Sequence, residues 1–111
     1  MNLNNLNEVQ KRIFQNKVKK GFNATDVNKE FCLLYGEVSE AYDAWRKGRN
    51  DFGEELADIA IYLLGIAEIT RIDLGEQICR KIFINEFRRY DVLPNGTHVR
   101  IKDDKDDICS E

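Results

Sequence analysis

The sequence predicts an all-α domain of four helices with a short C-terminal β-hairpin, and three observations carry that prediction. Apolar residues recur at helical spacing over most of its 111 positions. A single proline interrupts them, and it lies beyond the helical region. After Tyr90 the pattern changes to alternation around a Pro-Asn-Gly turn.

The first helix runs from Leu3 to Lys20, with Leu6, Val9, Ile13, Phe14 and Val18 on its apolar face and Gly21 as its stop. Thr25 or Asp26 caps the second, which carries Val27, Phe31, Leu34, Val38, Ala41 and Trp45 and closes with the basic, glycine-containing "RKGRN". Asp51 with Glu54, and Asp73 with Glu76, are capping-box-like starts for the third and fourth. "YDVLPNGTHVRI" is the hairpin, with His98 alternating with Val99 in an exposed structural position. One domain over residues 1–102 is followed by a charged tail, 103–111, expected to be mobile. Gly36 and Gly65 fall inside helices, where the missing side chain would admit a neighbouring helix or a ligand.

Composition narrows the function. A formal net charge of −3, with no basic stripe interleaved with aromatics, argues against a dedicated nucleic-acid partner. The three cysteines, Cys32, Cys79 and Cys109, have no CxxC spacing, so neither a disulfide framework nor a zinc site is supported, and a reducing cytoplasm is the expected location. The longest apolar run, "IAIYLLGIA", is too short to span a bilayer, so no membrane partner is expected. A domain this small leaves apolar surface over, which predicts a homodimer or homotetramer.

The chemistry is concentrated in two acidic pairs. Glu37 and Glu40 lie three residues apart on the second helix, and Glu55 and Asp58 repeat that spacing on the third. With the helices side by side, the pairs would face each other across a groove and offer hard oxygen ligands to Mg²⁺ or Mn²⁺. Ala41, Ala44, Ala57 and Ala60 beside them would leave room for an ion and phosphates. One such pair means little, because 20 acidic residues in this length give roughly three or four by chance. The second pair differs in its setting among Leu56, Ile59, Ile61, Leu63 and Leu64. Without a cation, the acids would form a salt-bridged or solvated face.

"EVSEAYDAWRKG" followed by "EELADIAIYLL" resembles the ExxE…ExxD signature of the all-α MazG-like nucleoside triphosphate pyrophosphohydrolases, a superfamily that includes phosphoribosyl-ATP pyrophosphohydrolases and dimeric dUTPases. The resemblance extends from Gly21 and Phe22 through "KIFINEFRRY". It implies Mg²⁺ held by Glu37, Glu40, Glu55 and Asp58, and hydrolysis of a (deoxy)nucleoside triphosphate to monophosphate and pyrophosphate, with a house-cleaning role in the nucleotide pool. Glu40 is the preferred general base.

The resemblance also points to Lys81, Asn85 and Arg88, spaced along one face of the fourth helix, as nucleotide contacts, and to Phe14 and Phe22 as base-stacking residues. Phe14 stands where some relatives carry a polar residue or histidine, which favours stacking over hydrogen bonding there. Phosphoribosyl-ATP hydrolysis, or a non-catalytic metal-binding oligomerisation module, are the alternatives.

Overall fold

The computed structural model describes residues 5–101. Four helices are followed by an antiparallel hairpin: α1 Leu6–Lys19, α2 Val27–Arg46, α3 Phe52–Ile69, α4 Leu74–Phe87, β1 Arg89–Val92 and β2 His98–Ile101. The charged tail expected over 103–111, and Cys109 within it, lie outside the described residues. The chain divides into two compact units, Met1–Gly75 and Glu76–Glu111.

In the first unit α3 packs against both α1 and α2. The helix ends are set by local chemistry. At the end of α1, Gly21 adopts φ +72° while the Gly21 and Phe22 N–H groups donate to the Val18 and Lys17 carbonyls. This is a Schellman turn, and it delivers the Phe22 ring beside Lys17. Gly48 does the same for α2 at φ +66°, with Arg49 N–H donating to the Ala44 carbonyl. The end of α3 has this geometry without a glycine: Arg71 takes φ 60°, and Ile72 N–H donates to the Ala67 carbonyl. A side chain in this left-handed conformation costs about 1–2 kcal/mol.

Asp26, rather than Thr25, caps α2, its side chain accepting from Lys29 N–H. The capping box expected at Asp51 does not form: its backbone is not extended (ψ 9°), and its carboxylate accepts from Arg49 Nε instead.

The apolar core consists of Leu34, Ala41, Ala44, Leu64, Ile66 and Ala67, and the two largest fully buried side chains, Gln10 and Glu30, are polar. Gln10 ties α1 to the end of α3 by donating to Glu68 Oε1 and the Ile72 carbonyl and accepting from Leu74 N–H. Glu30 pairs with Lys17, linking α2 to α1. Gly65 meets the expectation of close approach, since a Cβ there would lie 3.7 Å from Lys17 Cδ and 3.9 Å from Ile13 Cγ2. Gly36 does not, having nothing within 4 Å. Phe31, Val38 and Trp45, expected on the packed face of α2, are exposed.

In the second unit α4 carries the tilted ring pair Phe83 and Phe87, 4.7 Å apart. The hairpin pairs Arg89 with Ile101 through Val92 with His98. Gly96, at φ +86°, closes the turn and donates to the Leu93 carbonyl. His98 is exposed, as its place in the alternation predicts.

Candidate metal centre and adjoining pocket

The i,i+3 spacings place Glu37 with Glu40 near the end of α2, and Glu55 with Asp58 near the start of α3. Packing of α2 on α3 brings them together. Glu37, Glu55 and Asp58 each bring a carboxylate oxygen within 4.8 Å of the others. Glu40 lies within hydrogen-bonding reach of Glu37, outside that three-residue cluster. Ala41 and Ala44 do not make the room expected of them, because both are buried in the core.

Like charges held this close raise one another's pKa. Burial pushes the Glu37 carboxyl above the usual carboxylate range, and the charges of Glu40, Asp58 and Glu55 add to the shift. Glu55 is raised by desolvation first, then by Glu40, Asp51 and Asp58, with Arg49 partly opposing. The other cations of the α2–α3 connection are engaged elsewhere: Arg46 and Lys47 bind Asp43 at 3.0 and 3.1 Å and hold its carboxyl below the usual range.

Two oxygens of the cluster, Glu37 Oε2 and Glu55 Oε2, are buried without a hydrogen-bond partner. Buried polar atoms are nearly always satisfied, so these two call for one. Carboxylate oxygens converging from two helices are the donor set of a hard divalent cation, and the cluster can hold one.

One turn beyond Asp58 on α3, Tyr62 joins the acids to a pocket of about 580 Å³. Burial raises the Tyr62 hydroxyl pKa, with further contributions from Glu37, Glu30, Asp58 and Glu40. Val9, Ile13 and Ile61 give the pocket apolar walls, and Phe22 adds an exposed ring. Arg12, Asn16 and Lys17 supply its polar groups. Lys17 lies 5.4 Å from the Tyr62 ring centroid while paired with Glu30.

Of the aromatics expected to stack on a base, Phe22 lines this pocket; Phe14 is half-buried on α1 and outside it. Lys81 and Asn85 are exposed on α4 in the second unit. Just past that helix Arg88 donates to Asn85 Oδ1 at 3.1 Å, leaving its Nε buried without a partner. Sequence reasoning passed over Tyr62, Lys17, Arg12 and Asn16. The i+4 spacing of Tyr62 from Asp58 was the available signal.

Among the described residues no helix is long and apolar enough to cross a membrane. No family model matches the chain, and no solved structure matches it. Among curated proteins, a dATP/dGTP diphosphohydrolase of Salmonella phage PMBT28 is 43% identical over 49 residues. Those residues are 44% of this chain and 17% of the phage protein, so the likeness, to a hydrolase, spans a minor part of each.

Proposed function

We propose that this chain is a Mg²⁺-dependent hydrolase that cleaves (deoxy)nucleoside triphosphates to monophosphate and pyrophosphate. The observation that carries the reading is the pair of orphaned buried oxygens, Glu37 Oε2 and Glu55 Oε2, in a cluster of converging carboxylates. Support comes from the adjoining pocket, which lies within the usual 300–1,000 Å³ range of small-molecule sites, and from the partial likeness to a dATP/dGTP diphosphohydrolase.

Glu37, Glu55 and Asp58 hold Mg²⁺ or Mn²⁺, with Glu40 beside them. The bound cation supplies neutralisation of phosphate charge and a lowered water pKa. Glu40 accepts the proton of the water that attacks phosphorus. Phe22 and Tyr62 accommodate the nucleoside. The acids serve both binding and proton transfer, so neutralising one affects both.

The test is a panel of NTPs and dNTPs with Mg²⁺, resolving pyrophosphate from phosphate as product. Pyrophosphate release by the parent and its loss in Glu55→Gln are expected. Orthophosphate as the product, full activity in Glu55→Gln, or no turnover of any nucleotide with either metal would overturn the proposal.

A further inference from the structure

We infer that Arg12 and Asn16 read the base of the bound nucleotide and make guanine the preferred one. This rests on the reading above, in which the acids take the triphosphate.

The first observation is which polar groups in the pocket are uncommitted. Lys17 is engaged by Glu30. Arg12 and the Asn16 side chain also line the pocket, yet neither has a hydrogen-bond or ion-pair partner among the described residues. Four residues apart on α1, they share one face of the helix.

The second is where they stand relative to the acids. Gln10 of α1 meets Glu68, whereas Ile13 and Lys17 flank Gly65 and Lys17 reaches Tyr62, so α1 runs antiparallel to α3. Along α3 the acids come first and then Ile61 and Tyr62, which line the pocket with Lys17 and Phe22; Arg12 lies on α1 between Gln10, which meets Glu68, and Ile13, which meets Gly65, and so stands level with the stretch from Gly65 to Glu68. At 1.5 Å per residue that stretch begins roughly 10 Å beyond Asp58. A nucleotide whose phosphates lie at the acids, and whose ring system passes Phe22 and Tyr62, therefore presents its base edge, not its phosphates, to Arg12.

The third is the chemistry of that edge. A guanidinium offers parallel N–H donors, which match two adjacent acceptors. Guanine presents O6 and N7 in that arrangement. Adenine replaces O6 with an amino donor; cytosine's adjacent acceptors, N3 and O2, run back to the glycosidic bond and leave an amino donor at the edge far from the sugar; and thymine has one acceptor beside a methyl group there. The Asn16 amide adds a donor and an acceptor for the remaining polar atoms.

The experiment is an NMR titration of the full chain with dGMP, dAMP, dCMP and dTMP in the presence of Mg²⁺, in the parent and in Arg12→Ala and Asn16→Ala. Monophosphates, the products of the proposed reaction, separate base recognition from turnover. In the parent dGMP should bind about 5- to 160-fold more tightly than dCMP, the range expected of one good bidentate contact, with signals of Phe22 and Tyr62 shifted. Arg12→Ala should abolish most of that preference while changing dCMP affinity less than about twofold. Asn16→Ala should reduce it in part.

Equal affinities in the parent, no binding by any of the four, or shifts confined to residues away from α1 and α3 would overturn the inference. A uniform loss of all four in Arg12→Ala would also overturn it, because it would assign Arg12 to phosphate. Selective dGMP binding with no triphosphate turnover would sink the proposed reaction and leave this pocket standing. Turnover without base preference would do the reverse.

Discussion

Lys17→Met removes the cation that faces Glu30, a carboxylate with 1% of its side chain exposed. Replacing one member of a buried pair leaves an uncompensated charge and costs about 3–5 kcal/mol. The Lys17 side chain is 14% exposed, so water reaches its end of the pair and the lower figure, about 3 kcal/mol, applies. Loss of the contact with the Tyr62 ring adds about 0.5–1 kcal/mol. A chain of 111 residues has an unfolding entropy of about 230 cal/mol/K, so each kcal/mol moves Tm by about 4 °C. The expected drop is therefore about 15–17 °C, read by circular dichroism at fixed protein concentration. Lys17→Met combined with Glu30→Leu removes both charges and should recover most of the loss, because an apolar pair of similar volume often matches a buried ion pair. A drop below about 4 °C in the single variant, or a double variant no more stable than the single, would refute the claim that this pair is buried and mutually compensated.

Metal and pH should act together on the acidic cluster. Glu37 and Glu55 have folded-state pKa values above the ordinary range, so the metal-free folded chain binds more protons than the unfolded chain as pH rises through that range. Their contribution to stability therefore falls with rising pH. Glu37→Gln should flatten this slope and raise the metal-free Tm at pH 7. In the parent, Mg²⁺ at about a hundred times its Kd should raise Tm by about 12 °C at pH 7 and by less at pH 5, where protons compete. An equal Mg²⁺ effect at both pH values, or an undiminished one in Glu37→Gln, would count against the site. On α2, Phe31, Tyr35, Val38, Tyr42 and Trp45 repeat at alternating four- and three-residue steps and all are exposed, which is the spacing of a helix-to-helix seam. The parent should sediment as a homodimer or homotetramer and Tyr42→Glu as a smaller species; a concentration-independent monomer mass for the parent would refute this.

What was legible in the sequence was whatever a helix settles by itself. Gly21 and Gly48 stop their helices because a left-handed residue is needed there, and the acidic pairs share a face because three residues nearly complete a turn. What was not legible depends on register between elements. Gln10 and Glu30 have the composition of surface positions, yet both are buried, because antiparallel packing of α1 on α3 puts Glu68, Ile72 and Leu74 against one, and Lys17 meets the other from α1. On α2, apolar periodicity could not say which residues pack: Leu34, Ala41 and Ala44 are buried, while Phe31, Val38 and Trp45 face outward. Arg71 ends α3 in a conformation that its side chain disfavours, so that stop was marked by the cap of the next helix at Asp73 and not by a glycine.

These buried polar contacts bear on the site. A core this thin specifies helix register weakly by apolar packing, because small aliphatic surfaces slide past one another at little cost. Gln10, with three bonds to the end of α3 and the connection after it, and Lys17, paired with Glu30 of α2, each lose their partners when α1 shifts. They therefore fix Phe22, Arg12 and Asn16 relative to Tyr62, and through Tyr62 relative to the acids. The acids are the place where such satisfaction fails, since carboxylates crowd together with two buried oxygens unpaired. Proteins break their local rules chiefly where function requires it. Protonating a single carboxyl would relieve only part of the repulsion among these carboxylates. A divalent cation can meet both oxygens and remove the repulsion in the same event, so the surrounding polar clamps make sense as the frame that keeps such a site open.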